Sequence, residues 1–146
     1  MVTTVVIGML CVHLLCFSLM FLLISRRLHG KKMGMDVFAL GNLMLGLAYV
    51  LQLFGGHANG SVMSVVNHTL TLCAPVTYVL GGLRFFDYPI RIWRPLLATA
   101  AGYTAVQILV QVLLGTEARH ALLAGSCAAL FLAMTVAALY VGTTLA

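Results

Sequence analysis

Five apolar stretches alternate with short polar connectors along the 146 residues of this chain, and each is about the length a helix needs to cross ~30 Å of hydrocarbon at 1.5 Å per residue. The pattern predicts helices over about 3–25, 33–54, 61–86, 92–114 and 121–141, forming a single transmembrane domain over 1–146. The expected fold class is all-α, a polytopic bundle of five membrane-crossing helices. Pro95 falls in the first turn of the fourth stretch, where a missing N–H costs nothing. Asn59-Gly60-Ser61 matches a glycosylation sequon, although Ser61 capping the third helix is the simpler reading.

The polar positions inside these stretches are uneven. His13 lies about ten residues, or ~15 Å, into the first helix. Asn67, His68, Thr69 and Thr71 follow the start of the third, Gln52 ends the second, and Thr104, Gln107 and Gln111 recur at i, i+3 and i+7 on one face of the fourth. All of these fall toward the same end of the bundle, whereas the other half holds little besides Ser25, Asp36 and Asn42. Polar side chains in hydrocarbon are costly unless partnered. His13, Gln52, Asn67, His68, Thr71, Gln107 and Gln111 are therefore the candidate ligand-binding residues. Pro75 withholds a donor from the Thr71 carbonyl and is expected to bend the third helix, opening a polar recess below His68. Asn67 and Thr71 share a face with that carbonyl and are positioned to satisfy it.

Charge orients the bundle. Seven of the eight Lys and Arg residues lie in Arg26-Arg27-Leu28-His29-Gly30-Lys31-Lys32 and in the segment from Arg84 to Arg94, leaving Arg119 by itself in the fourth connector. The positive-inside rule then puts the first and third connectors in the cytoplasm, the N-terminus outside, the C-terminus inside and the polar cluster in the outer leaflet half. Tyr88 and Trp93 suit the aromatic belt at the inner headgroup level. Asp36 is expected to pair with the basic connector before it. With 62% hydrophobic and 8% charged residues, the net charge of +5 points to anionic lipid and not to nucleic acid.

Close helix packing is expected at Gly81-Gly82 and along the alanines of the fifth helix, Ala121, Ala124, Ala128, Ala129, Ala133 and Ala137, a seam suited to a neighbouring helix. Gly41 and Gly46 are five apart and do not share a face. The four cysteines, Cys11, Cys16, Cys73 and Cys127, all sit in apolar stretches and read as reduced small hydrophobes.

Two readings of the histidines stay open. Imidazoles on two helices are what axial haem ligation or a soft transition-metal site uses, which makes His13 and His68 candidate metal ligands, with Cys16 three residues from His13. Membrane histidines also serve as interhelical hydrogen-bonding residues. No HExxH, GxSxG or Walker sequence occurs, and the three acids, Asp36, Asp87 and Glu117, are scattered, so no catalytic constellation is expected.

The basic turn leading into Phe38-Ala39-Leu40-Gly41, the Asn67 segment, Gly82-Leu83-Arg84-Phe85-Phe86 and the following Trp93 together give a pattern covering most of the chain. It resembles the multi-helix N-terminal membrane regions that precede GGDEF diguanylate cyclase domains in bacterial signalling proteins. The resemblance implies a sensory or anchoring module in the bacterial inner membrane whose C-terminus passes into a cytoplasmic output domain that makes cyclic di-GMP from two GTP. This chain has no GGDEF segment, since Gly81-Gly82-Leu83-Arg84-Phe85 lacks the acidic pair that would hold metal and substrate. It ends at Ala146, where the family often continues through more helices, and is expected to be a short relative or a truncated membrane part. His13 and His68 belong to no part of the family pattern.

The expectation is thus a non-enzymatic membrane sensor or anchor of a signalling protein, taking a small ligand, ion or cofactor in the polar recess. Its expected partners are lipid, further transmembrane helices or a second copy, and an output domain after Ala146. The alternative is a small haem-bearing, metal-bearing or structural subunit of a membrane complex.

Overall fold

The computed structural model describes residues 2–28, 34–54 and 62–145, and these form five helices: α1 (Val2–Arg27), α2 (Met35–Phe54), α3 (Val62–Phe85), α4 (Trp93–Leu114) and α5 (Thr116–Leu145). There is no strand among the described residues, and all five helices are long and apolar enough to cross a membrane. The sequon and Ser61, like Lys31 and Lys32, lie outside the described residues.

The largest departure from the sequence pattern is the start of α5, at Thr116 and not near Ala121. Gly115 is the whole connector. Its φ of 89° is a backbone state open to glycine, and its N–H still closes on the Gln111 carbonyl at 3.1 Å. Glu117 then enters the first turn of α5, where a negative charge complements the helix dipole. The other sharp turn ends α3: Asp87, at φ 62°, donates to the Arg84 carbonyl while Tyr88 donates to that of Leu83. That pairing is a Schellman closure with aspartate in the left-handed position.

Packing radiates from α2 and α3. Helix α1 packs on α2 alone, α2 also packs on α3, and α4 and α5 pack on α3 and on each other. The central cluster of Val37, Cys73, Leu80 and Leu96 joins α2, α3 and α4, and Ile90 and Ile92 of the connector close over it. The two glycines of α2 serve different neighbours because five residues turn a helix by about 140°. Gly41 faces α3, where an added Cβ would lie 2.7 Å from the Tyr78 ring and 2.8 Å from the Thr77 hydroxyl; Gly46 faces Leu15 of α1. Small residues of this kind let helices approach closely in lipid.

Polar bonds pin the same seams. The Ser18 hydroxyl donates to the Ala39 carbonyl (2.8 Å), the Cys11 thiol to that of Gly46 (3.6 Å), and the Tyr78 hydroxyl to Asn42 Oδ1 (2.8 Å). Asp36 pairs with Arg84 of the second basic segment at 3.3 Å, and Lys31 and Lys32 of the connector preceding it lie outside the described residues. All four cysteines are free. Of the small residues expected to mediate contacts, Gly81 abuts the Phe38 ring, but Gly82 meets open space and the six alanines of α5 are exposed. Among the described residues no helix covers the α5 alanines, and α5 turns its Arg119 face inward.

Gly41→Leu is expected to wedge α2 from α3 and cost about 1–3 kcal/mol, the usual range for overpacking. Gly102→Ala, where a Cβ meets nothing within 4 Å, is expected to hold or raise stability. Thermal unfolding of both variants in the same detergent checks the pair.

Candidate functional site: a buried polar cluster around Arg119

The first turns of α3, the last turns of α4 and the first turn of α5 meet at the end of the bundle away from the basic connectors. Two hydroxyls and an amide form its inner layer. Thr69 Oγ1 donates to the Val65 carbonyl at 3.0 Å and receives Gln107 Nε2 at 2.8 Å. Its remaining contact, with Thr104 Oγ1 at 3.0 Å, must then be one it accepts, because a hydroxyl has one proton and two lone pairs. Gln107 Nε2 spends its second proton on the Val65 carbonyl at 3.1 Å, which fixes the orientation of the amide and leaves Oε1 buried without a partner.

Arg119 forms the outer layer. The side chain is 0% exposed. Its two terminal nitrogens donate to Gln111 Oε1 at 2.6 Å and to Ser64 Oγ at 2.7 Å, and Nε is buried without a partner. One guanidinium thus ties α5 to α4 across the Gly115 turn and to α3 across the bundle. Both acceptors are neutral. Such a charge is costly to bury unless hydrogen-bonded, and here only part of its donor fork is used.

His68 and His120 flank the cation. Their rings meet edge to face, centroids 5.0 Å apart; His68 is 5% exposed with Nδ1 unpartnered, and His120 is exposed. The Tyr103 hydroxyl and Asn67 Oδ1 are likewise buried without partners. The end of the bundle therefore concentrates polar atoms whose hydrogen-bonding capacity is not used up.

Of the residues expected to line a recess, the structure brings His68, Gln107 and Gln111 into this cluster and puts Asn67 and Thr71 beside it on α3. Gln52 is exposed near the end of α2. His13 is exposed on α1, with Nδ1 2.8 Å from the Met9 carbonyl, and α1 makes no contact with α3. His13 and His68 are thus not brought together within one chain, and no group of three or more His, Cys, Asp or Glu side chains that could hold a metal occurs among the described residues. At the position expected for the recess the structure packs a cluster in which Arg119, Gln107 and His68 are buried. Helix α3 runs unbroken through Pro75, and Thr71 Oγ1 bonds the Asn67 carbonyl at 2.9 Å and not its own freed carbonyl. A hydroxyl one turn along is nearer the carbonyl four residues before it than the one on its own residue.

Arg119, Ser64, Tyr103 and His120 were not among the candidates read from sequence. Arg119 counts there as a connector charge; the signal that it is not one is Gln111, the last member of the Thr104, Gln107, Gln111 stripe, which meets Arg119 once Gly115 is a one-residue turn.

Gln111→Ala and Ser64→Ala are each expected to cost about 1.5–3 kcal/mol, because each strips a neutral partner from a buried cation. Arg119→Met is expected to cost less than those two together, since it removes the buried charge along with both bonds. His13→Ala and Gln52→Ala, at exposed positions, are expected to stay within about 0.5 kcal/mol of the parent. Reversible unfolding in mixed detergent micelles measures all five.

The chain matches no family model, no curated protein and no solved structure. The resemblance to membrane regions preceding GGDEF domains accordingly rests on the residues that carry it.

Proposed function

We propose that this chain is a non-enzymatic membrane sensor or anchor module in which the Arg119 cluster takes up a small anion. The observation that carries the reading is a fully buried guanidinium with two neutral partners and a spare Nε–H, set beside the unpartnered Nδ1 of His68. An entering anion would supply the charge that Gln111 and Ser64 lack, and hydrogen bonds between ionised partners are roughly twice as strong as neutral ones. An anion that takes the Nε–H and draws on the terminal nitrogens as well competes with Gln111 and Ser64 for the guanidinium. Binding would thereby loosen α5 from α3 or α4, and a ligand shifts a protein only through such a difference between two states.

In this proposal the module sits in a bacterial inner membrane with its N-terminus outside, its C-terminus inside and an output domain after Ala146. Arg119 strengthens the charge argument: it is hydrogen-bonded within the bundle, so the exposed cations of the described chain, among them Arg26, Arg91 and Arg94, belong to the two basic segments. The link to cyclic di-GMP output comes from the resemblance at Gly82-Leu83-Arg84-Phe85-Phe86. A second reading, a structural subunit of a membrane complex, is favoured by the exposed alanine face of α5.

Chloride, phosphate, acetate and succinate salts, compared at equal ionic strength, are expected to include at least one that raises the unfolding temperature of the purified protein. That rise is expected to vanish in Arg119→Gln and to shrink in His68→Ala. In a fusion to a cyclase output, the same anion is expected to change cyclase activity. Activity indifferent to every anion, and to His68→Ala and Gln107→Ala, would sink the sensor reading. A Soret band in the purified protein would instead favour the cofactor-bearing subunit.

A further inference from the structure

The unpartnered atoms at the α3, α4 and α5 end are not alike, and two of them have a fixed role in hydrogen bonding. Arg119 Nε can only donate, because a guanidinium has no acceptor. Gln107 Oε1 can only accept, and the amide cannot be turned over: a flip would set Oε1 3.1 Å from the Val65 carbonyl oxygen, acceptor against acceptor. Both side chains are 0% exposed. His68 Nδ1 and the Tyr103 hydroxyl can take either role and so do not discriminate between ligands.

The two side chains belong to adjoining layers of one interface. Gln111, which holds Arg119 at 2.6 Å, stands one turn along α4 from Gln107, a step of about 6 Å at 1.5 Å per residue. On α3, Ser64 holds the guanidinium at 2.7 Å, and the next residue, Val65, holds the Gln107 amide at 3.1 Å. A bare anion at Arg119 answers only the first layer. It leaves Gln107 Oε1 without a donor, and a buried acceptor left unmatched costs its desolvation. A hydroxyl on the anion itself supplies that donor. In a 2-hydroxycarboxylate the two functions sit on adjacent carbons, and with a hydrogen bond of ~2.8 Å at each end the molecule reaches about 8 Å, enough for the step between layers. An ammonium in place of the hydroxyl would bring a second cation to within a turn of a guanidinium whose partners are neutral.

We infer that the ligand of the Arg119 cluster is a small oxyanion bearing its own hydroxyl, of the 2-hydroxycarboxylate kind, with the carboxylate on Arg119 and the hydroxyl donating to Gln107 Oε1. The inference rests on the anion reading of the cluster and adds the chemistry that tells one anion from another.

Glycolate, acetate and glycine differ only in what the carbon beside the carboxylate carries: a hydroxyl, a hydrogen or an ammonium. Titrated into the purified full chain at neutral pH and equal ionic strength, glycolate is expected to raise the unfolding temperature at a severalfold lower concentration than acetate, and glycine to leave it unchanged. Gln107→Met is expected to bring glycolate down to the level of acetate. Equal responses to glycolate and acetate, both lost in Arg119→Gln, leave the anion reading standing and overturn this one, since a water then serves Gln107 Oε1. A glycolate advantage that survives Gln107→Met overturns it too, as does glycine matching glycolate. No response to glycolate overturns it whatever the other salts do, and only silence from every salt takes the anion reading with it.

Discussion

The placement of α5 against α3 and α4 depends on a single guanidinium. Arg119 is buried completely, and its two hydrogen bonds reach Gln111 on α4 and Ser64 on α3. Apolar burial gives α5 little reason to settle in one place, because lipid is as good an apolar solvent as another helix. A cation in hydrocarbon has few acceptable positions. The direction in which α5 leaves the Gly115 turn is thus governed by where Arg119 finds acceptors. The same property links structure to the proposed activity, since any group that competes for the guanidinium also competes with the bonds that hold α5.

A different logic holds the first three helices. Here the contacts are close steric ones, made possible by glycines on two faces of α2, with single hydroxyl and thiol bonds as pins. The polar groups of this half have their partners largely within the seams, whereas at the other end Arg119 Nε, His68 Nδ1, Gln107 Oε1 and the Tyr103 hydroxyl do not. Asp36 Oδ1 is also buried without a partner in the first half, but most of the unused capacity among the described residues lies at the other end. That contrast marks the α3, α4 and α5 end as the part able to change partners.

Much of this was legible in the apolar pattern. The five helices and most of their ends follow from run length, since a membrane span is a one-dimensional requirement. The start of α5 was hidden because Glu117, Arg119 and His120 are polar and look like a connector, while the structure carries them inside the first helical turns. The gathering of His68, Gln107 and Gln111 was readable from their depth along the helices. Depth says nothing of azimuth or of neighbour order, and for that reason His13 and Gln52 were grouped with residues they do not meet. Likewise the α5 alanines are spaced for close packing, but spacing does not say whether the partner belongs to the same chain.

Helix packing in this bundle joins consecutive helices, with α3 against α5 as the exception. The order of synthesis is then also an order of assembly: each helix entering the bilayer finds its main partner already present, and no earlier contact has to break to admit it. The lone non-sequential seam closes last, when Arg119 passes the Gly115 turn and reaches Ser64, a residue inserted two helices before. Because one side chain bonds both Ser64 and Gln111, that seam can form only where α3 and α4 lie side by side at matching depth.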